Sequence, residues 1–408
     1  MSSAKSLTIA RVIARLNVGG PATQAILMTE AFRKKGYRAL LLAGEVPPGE
    51  GSMEYLAYER GVQPIKISKL SRRISVAADL KSFWRLVRLF RRERPMILHT
   101  HTAKAGTLGR LAAMVAGVPV RVHTFHGHVF SGYFSPRLTR IFLAIERFLG
   151  RHTDCIIAIS GSQRKELVET YRIAPPEKVV TIPLGFNFEP FLRINAACSR
   201  EPALVGWIGR MTAIKAPALF LQSAVRIRAA LPSVQFVMVG DGELRQDCEA
   251  RIRQAGLHGK VVLTGWKRDL TVVYADLDLL ILTSINEGTP LALLEAMASG
   301  RPFIATDVGG LRDLMTGTGR REEGWERFDN GILVQRDSHQ IAEAARYLLL
   351  RPELRREMGC AGREFVRDRY SSNRLAADLE CLYLHLARRK KCLEKDADVT
   401  SPSEPAIV

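Results

Sequence analysis

Two carboxylates eight positions apart, Glu287 and Glu295, bracket a segment able to hold an anion and a diol at once. Residues 279–283 before them are apolar, and residues 291–299 follow with helical spacing, closed by Gly300 and Pro302. The pattern predicts a strand, a short loop and a helix with Thr289 as N-cap and Pro290 as its first residue. Glu287 then lies in the loop at the strand's C-terminal end, and Glu295 about two turns further on, near the helix start. Between them Gly288, Thr289 and Leu291 offer backbone N–H groups at the positive end of a helix, where an anion is stabilised. A carboxylate beside such a site can accept both hydroxyls of a vicinal diol, such as a ribose 2′,3′ pair. An isolated pair of acids has a plainer reading, Glu295 facing solvent and Glu287 capping a loop, so the neighbouring motifs decide its meaning.

The apolar strand 203–208 runs into Gly209-Arg210, with Lys215 five residues beyond Arg210. An arginine fork and a lysine point charge around one turn suit a diphosphate and would stabilise charge building on a leaving group. The alternative is two ordinary surface cations. Gly19-Gly20, after the first strand and before a helix, would let backbone approach a phosphate closely, although it forms neither a GxGxxG motif nor a P-loop. Gly240-Asp241-Gly242 has the same cue and is equally well explained as a tight turn.

Five histidines, His99, His101, His123, His126 and His128, fall within 30 residues. His99 and His101 share one strand face, but no cysteine or carboxylate nearby completes a metal site. The histidines read instead as a polar cleft wall together with Lys104, Gly106 and Arg121, with His126 able to bond a substrate or move a proton near neutral pH. Asp276-Leu277-Asp278 resembles a metal-binding DxD but precedes its strand, away from any ligand end, so no metal is expected.

These groups need a scaffold that delivers strand ends to one place. Short β-branched runs at 7–13, 39–43, 96–101, 120–125, 155–160 and 179–182, then at 203–208, 234–239, 261–264, 279–283, 303–306 and 331–334, alternate with helical segments. Such alternation predicts parallel sheets, and two sets of six strands predict two doubly wound α/β domains with ligands at the C-terminal ends of their strands. The domains are expected at 1–190 and 200–370, followed by a helix at 371–390 and a disordered tail at 391–408. Length agrees, since 408 residues exceed one compact core. No apolar run spans a bilayer, the N-terminus lacks a signal-peptide pattern, and six scattered cysteines without a CxxC fit a reduced, cytoplasmic protein.

Charge is uneven. Residues 1–195 carry 30 basic against 13 acidic side chains and the remainder 30 against 28, so nearly all of the +19 excess sits in the first half. That asymmetry points to an anionic partner there. The helix 81–94 adds Arg85, Arg88, Arg91 and Arg92 to an apolar stripe of Phe83, Leu86, Val87 and Phe90, and the aromatic loop 130–136 lies beside His126. Both suit peripheral contact with an anionic membrane, although a helix packed on a sheet with a solvated basic face explains the first equally well. No recognition helix or zinc pattern supports nucleic acid as the partner, and no GxGxxG with a following acid supports a dehydrogenase.

In order along the chain, Gly19-Gly20, Thr124-Phe125-His126-Gly127, Ile159-Ser160, Gly209-Arg210 with Lys215, Val239-Gly240-Asp241-Gly242, Glu287 through Glu295 and Asn330-Gly331 resemble the retaining glycosyltransferases of family 4, of the GT-B superfamily. The resemblance covers almost the whole chain. It implies two Rossmann-like domains facing across a cleft, a last helix crossing back to the first domain, and transfer of a sugar from a nucleotide-diphosphate sugar to a glycan or lipid-linked acceptor. It implies that Arg210 and Lys215 hold the diphosphate, Glu295 the ribose and Glu287 the sugar, with the backbone of 288–291 on sugar hydroxyls or phosphate and His126 near the transferred sugar. Two departures stand out: Gly161 follows Ser160 where many relatives carry an acid, and Pro290 has no N–H to donate. A GT-B isomerase or hydrolase acting on the nucleotide-sugar itself is the alternative that shares these contacts.

Overall fold

The computed structural model describes residues 7–47, 51–70, 75–127, 135–195 and 201–392. The chain divides into two compact units, one running to Phe186 and resumed from Ser372, the other Asn187–Ser371. His128, most of the aromatic loop 130–136, Cys198 and the tail from residue 393 lie outside the described residues.

The first unit is a parallel sheet of β1 (Thr8–Ile13), β2 (Arg38–Ala43), β3 (Ile65–Lys66), β4 (Ile97–His101), β5 (Val120–Phe125), β6 (Cys155–Ala158) and β7 (Val179–Thr181). Its order is β3-β2-β1-β4-β5-β6-β7, so chain direction across the sheet reverses between β1 and β4. The connecting helices are α1 (Gly20–Lys34), α2 (Glu54–Glu59), α3 (Val76–Glu93), α4 (Ala103–Ala116), α5 (Pro136–Arg151) and α6 (Gly161–Lys165). Every residue of β1 and β4 is buried, as expected for parallel strands covered on both faces. In α3 the stripe Leu86, Val87 and Phe90 is buried together with Ser82 and Leu89. The helix therefore packs on the sheet and turns its arginines outward.

The second unit is a sheet of β8 (Leu204–Ile208), β9 (Gln235–Val239), β10 (Val261–Gly265), β11 (Leu279–Leu282), β12 (Phe303–Thr306), β13 (Arg320–Glu322), β14 (Trp325–Arg327) and β15 (Ile332–Val334). Its order is β10-β9-β8-β11-β12-β15-β14-β13, with β13 and β14 antiparallel at the edge. Its helices are α7 (Glu189–Leu192), α8 (Pro217–Ala230), α9 (Arg245–Gln254), α10 (Thr271–Asp276), α11 (Leu291–Ala298), α12 (Ser338–Leu349) and α13 (Pro352–Arg369). Trp207, Phe220, Phe236 and Ile304 are core residues here. Asp278 is buried, accepting from the Leu204 N–H at 2.9 Å and lying 3.7 Å from Arg355, so the DxD look-alike is part of the packing of this unit.

The last helix, α14 (Ser372–Arg389), belongs to the first unit. Leu375, Leu379, Tyr383 and Leu386 form its buried stripe, each contributing about 1.5–3 kcal/mol. Arg374 ties its start to the carbonyls of Pro183 and Leu184 at 2.6 and 2.8 Å, and Glu380 bonds Lys35 and Tyr37.

All twelve expected strands are present, but the sets are seven and eight because β3, β13 and β14 add to them. The five described cysteines are unpaired thiols. No helix among the described residues is long and apolar enough to cross a membrane.

Candidate functional site

In the second unit the sheet order reverses between β8 and β11, and the loops leaving these two strands are joined. Thr283 Oγ1 lies 3.0 Å from the carbonyls of Lys215 and Ala216 and accepts from Trp207 Nε1 at 3.1 Å, while the Ile285 N–H donates to Ile214 O at 2.8 Å. A switch point of this kind is where open α/β sheets take ligands. Arg210 and Lys215 occupy the first loop, and Glu287 through Thr289 the second.

Lys215 Nζ forms an ion pair with Glu287 Oε1, which also accepts from Ser284 Oγ at 2.5 Å. The two residues lie 72 positions apart, and their predicted roles on phosphate and sugar now share one contact. Arg210 is partly buried and makes no side-chain hydrogen bond or ion pair among the described residues. The pair leaves Arg210 as the uncompensated cation of the two.

The helix between the acids starts one residue later than expected. Pro290, not Thr289, is the N-cap of α11, in extended backbone, and its carbonyl accepts from Leu293 and Leu294 at 3.1 and 3.3 Å. A proline has no side-chain oxygen to turn back onto the first N–H groups. Those of Gly288, Thr289 and Leu291 therefore have no partner among the described residues and carry the positive end of the helix.

Glu295 is 8 % exposed. Its Oε2 lies 3.0 Å from Tyr274 Oη, which also lies 2.8 Å from Ala292 O. Burial pushes the Glu295 carboxyl up to about 8, against a smaller downward pull from Tyr274. The expected carboxylate is thus a neutral acid at pH 7 in the free protein.

Two supporting features were not singled out from sequence. Gly309, after β12, has a φ of 58°, and a Cβ there would sit 2.0 Å from Glu287 O; the next N–H, of Gly310, donates to that same oxygen at 3.0 Å. The tandem glycine after a strand was the available cue. We expect Gly309→Ala to displace the Glu287 loop, costing about 1–3 kcal/mol of stability and at least about tenfold in turnover. Thermal unfolding and steady-state rates check this; unchanged values in both would remove the loop's supporting role. The second feature is Tyr274 itself.

Gly240-Asp241-Gly242 serves packing: a Cβ on Gly240, at φ 134°, would lie 1.9 Å from Gly209 O. The loop supports the Arg210 turn, with Met211 N–H donating to Asp241 O at 2.9 Å. Asn330 is likewise structural, fully buried and bridging Thr316 N–H and Leu314 O at 3.0 and 2.7 Å.

The first unit holds the remaining predicted residues. Gly19 is the N-cap of α1 and Gly20 its first residue, and His126 lies just past β5, all at the C-terminal edge of that sheet. The histidine wall is corrected: His99, His101 and His123 are each 1 % exposed, inside the unit. Arg11, fully buried, donates to His99 Nδ1 at 3.1 Å, so this nitrogen carries no proton and Nε2–H donates to Thr124 Oγ1 at 2.7 Å. Tyr383 of α14 meets the same Nδ1 at 2.5 Å. His101 Nδ1 bonds His126 Nε2 at 2.9 Å, and His126 Nδ1 is buried without a partner. Burial holds His99, His101 and His123 well below the ordinary imidazole value and His126 down at about 3. His126 is therefore neutral, not a group titrating near pH 7. Lys104 and Arg121 are not open cleft cations either, being paired with Asp79 and Asp154.

The family described as Glycosyltransferase Family 4 matches residues 18–189, and that described as Glycosyl transferases group 1 matches residues 202–351. The chain is 33% identical over 261 residues to an Escherichia coli UDP-Gal:alpha-D-GlcNAc-diphosphoundecaprenol alpha-1,3-galactosyltransferase, covering 61% of this chain and 67% of that protein. It is 26% identical over 327 residues to the Staphylococcus aureus capsular polysaccharide biosynthesis glycosyltransferase CapM, covering 77% and 83%. Among solved structures it superposes on Anabaena Alr3699/HepE in complex with UDP and glucose with a TM-score of 0.73 at 18% identity, covering 92% of this chain and 99% of that one. A sucrose-phosphate synthase from Thermosynechococcus elongatus gives 0.74 at 22% identity, covering 94% and 100%. These structural likenesses fix the fold as GT-B. With the two sheets, the joined loops at the second switch point and the sequence identity taken together, the chain belongs to the family 4 glycosyltransferases.

Proposed function

We propose that this glycosyltransferase takes a hexose from a uridine-diphosphate sugar and adds it, with retention, to a saccharide carried on a lipid diphosphate. The observation that carries the donor half is the β8/β11 switch point, where an uncompensated Arg210, the Lys215–Glu287 pair and the open N–H groups of 288–291 converge. A diphosphate neutralises Arg210 and the helix end; Glu287, next to Lys215, is left to orient sugar hydroxyls, and Glu295 takes the ribose. As the bond from sugar to phosphate breaks, its electron pair goes to the diphosphate, and these same groups take up the charge. His126, neutral, acts on the sugar through hydrogen bonding and not as an imidazolium acid.

The acceptor half is supported by the E. coli and S. aureus relatives, whose names give a diphosphoundecaprenol-linked sugar and a capsular polysaccharide. An assay of nucleotide-sugars with and without a polyprenyl-diphosphate saccharide tests the reading. Turnover is expected only with both present; equal turnover without acceptor would make the chain an isomerase or hydrolase.

The basic half supports work at a membrane surface. On α3, Lys81, Arg85 and Arg88 make no ion pair among the described residues, and they line a groove of about 660 Å³ with Trp84 and Leu80, which are 52% and 55% exposed. Apolar tips flanked by cations suit an anionic lipid surface. At about 1 kcal/mol per cation, the triple variant K81Q/R85Q/R88Q is expected to bind phosphatidylglycerol vesicles about a hundredfold more weakly in co-sedimentation. Undiminished binding would exclude this face.

A further inference from the structure

Tyr274 sits at the end of α10, 21 positions before Glu295, fully buried against Phe191 of α7 with ring centroids 5.6 Å apart. Its hydroxyl has one proton and two acceptors, Ala292 O at 2.8 Å and Glu295 Oε2 at 3.0 Å. Only one can receive it. When Tyr274 donates to Ala292 O, its oxygen is free to accept, and the partner that satisfies it is a protonated Glu295. When Glu295 is ionised, the tyrosine proton turns to Oε2, and Ala292 O keeps its bond within α11. The hydroxyl thus has two settings, one for each proton count on the carboxyl.

We propose that Tyr274 is a positioning residue of the donor site: it holds the Glu295 side chain where a ribose meets it, and it couples nucleotide binding to loss of one proton from that carboxyl. The inference rests on Glu295 being the ribose contact. A vicinal diol donates two hydrogen bonds, which only the ionised carboxylate accepts on both oxygens, so binding favours the ionised setting. The proton leaves to solvent.

Charged groups around α11 are committed elsewhere. Arg363 of α13 donates to Ile194 O, Arg301 to Ala275 O and Asn195 O, and Arg355 to Leu348 O and Leu349 O beside Asp278. Lys215 pairs with Glu287, and the acids on the adjoining helices are Asp276 of α10, Glu189 of α7 and Glu353, Glu357, Glu364 and Asp368 of α13. No cation bonds Glu295 in their place; Tyr274 alone bonds its side chain among the described residues. Burial, which keeps the carboxyl protonated to about 8 in the free protein, sets the pH range of the effect.

The test is calorimetric titration of the intact protein with UDP between pH 6 and 9, in buffers of differing ionisation heat. About one proton is expected to be released per UDP near pH 7, with affinity rising about tenfold per pH unit until it levels near 8. In Tyr274→Phe the carboxyl loses the one side chain that favours its ionised form. Affinity at pH 7 is expected to fall about tenfold and to recover by pH 9, a rescue that general loosening of α10 would not give. Glu295→Gln is expected to bind weakly and without pH dependence. Tight UDP binding that releases no proton and is flat with pH overturns the proposal, and the wild-type arm alone decides this if Tyr274→Phe does not fold. A Tyr274→Phe affinity reduced equally at every pH overturns Tyr274's part. UDP that fails to bind at any pH overturns the donor-site reading, and this proposal with it.

Discussion

Arg210→Ala is expected to lower the turnover number by about two to three orders of magnitude, the range seen when one preorganised donor to a developing anion is removed. The size follows from the charge inventory of the switch point. Lys215 is already paired with Glu287 in the free protein, so the charge it can add to a leaving diphosphate is offset in part. Arg210 has no such partner among the described residues, and its guanidinium offers the fork that two phosphate oxygens accept. Charge on the diphosphate grows as the sugar departs, so the loss should fall on the chemical step more than on donor KM. Arg210→Lys should recover part of the rate, keeping charge but not geometry. Steady-state kinetics over a range of donor concentrations separates the two, and turnover unchanged in Arg210→Ala refutes the assignment.

Acid should unfold the first unit before the second. His99, His101 and His123 are buried and held neutral, with Arg11 as the cation beside His99 and, among the described residues, no carboxylate bonded to any of the three rings. Each folded-state value lies below the ordinary 6.5, so below that pH the unfolded chain binds protons that the folded chain does not. Stability is therefore fully present above pH 6.5 and falls as pH drops. Each ring that stays neutral below about pH 6 contributes about 1.4 kcal/mol per pH unit. Hydrogen exchange followed by mass spectrometry at pH 7, 6 and 5 reads each unit separately. Loss of protection in β4 and β5 should precede loss in β8 and β11, and His123→Gln should flatten the dependence. A slope below one proton would contradict the buried-neutral assignment.

What the sequence made legible follows from residue type. The run 303–306, Phe-Ile-Ala-Thr, matches β12 to the residue, because a fully covered parallel strand leaves an apolar signature of its own length. β3 has two residues, and β13 reads Arg-Arg-Glu with all three exposed, so neither carries such a signal. The histidines misled for the opposite reason. Polar side chains read as surface, and only the assembled unit supplies the Phe32 and Tyr383 rings over Arg11 at 5.1 and 5.7 Å. Candidate site residues stand out in the sequence where a strand end and a helix start fall within one short segment, as with 287–295 and 209–215. The pairings of Lys215 with Glu287 and Tyr274 with Glu295 were not, since they depend on how β8, α10 and β11 pack.

The most direct test of the donor site is a crystal structure with UDP bound. The donor-site assignment requires phosphate oxygens within hydrogen-bond distance of Arg210, Lys215 and at least one N–H among 288–291, with both ribose hydroxyls on Glu295. A nucleotide ordered elsewhere, or one whose ribose turns away from Glu295, would contradict it.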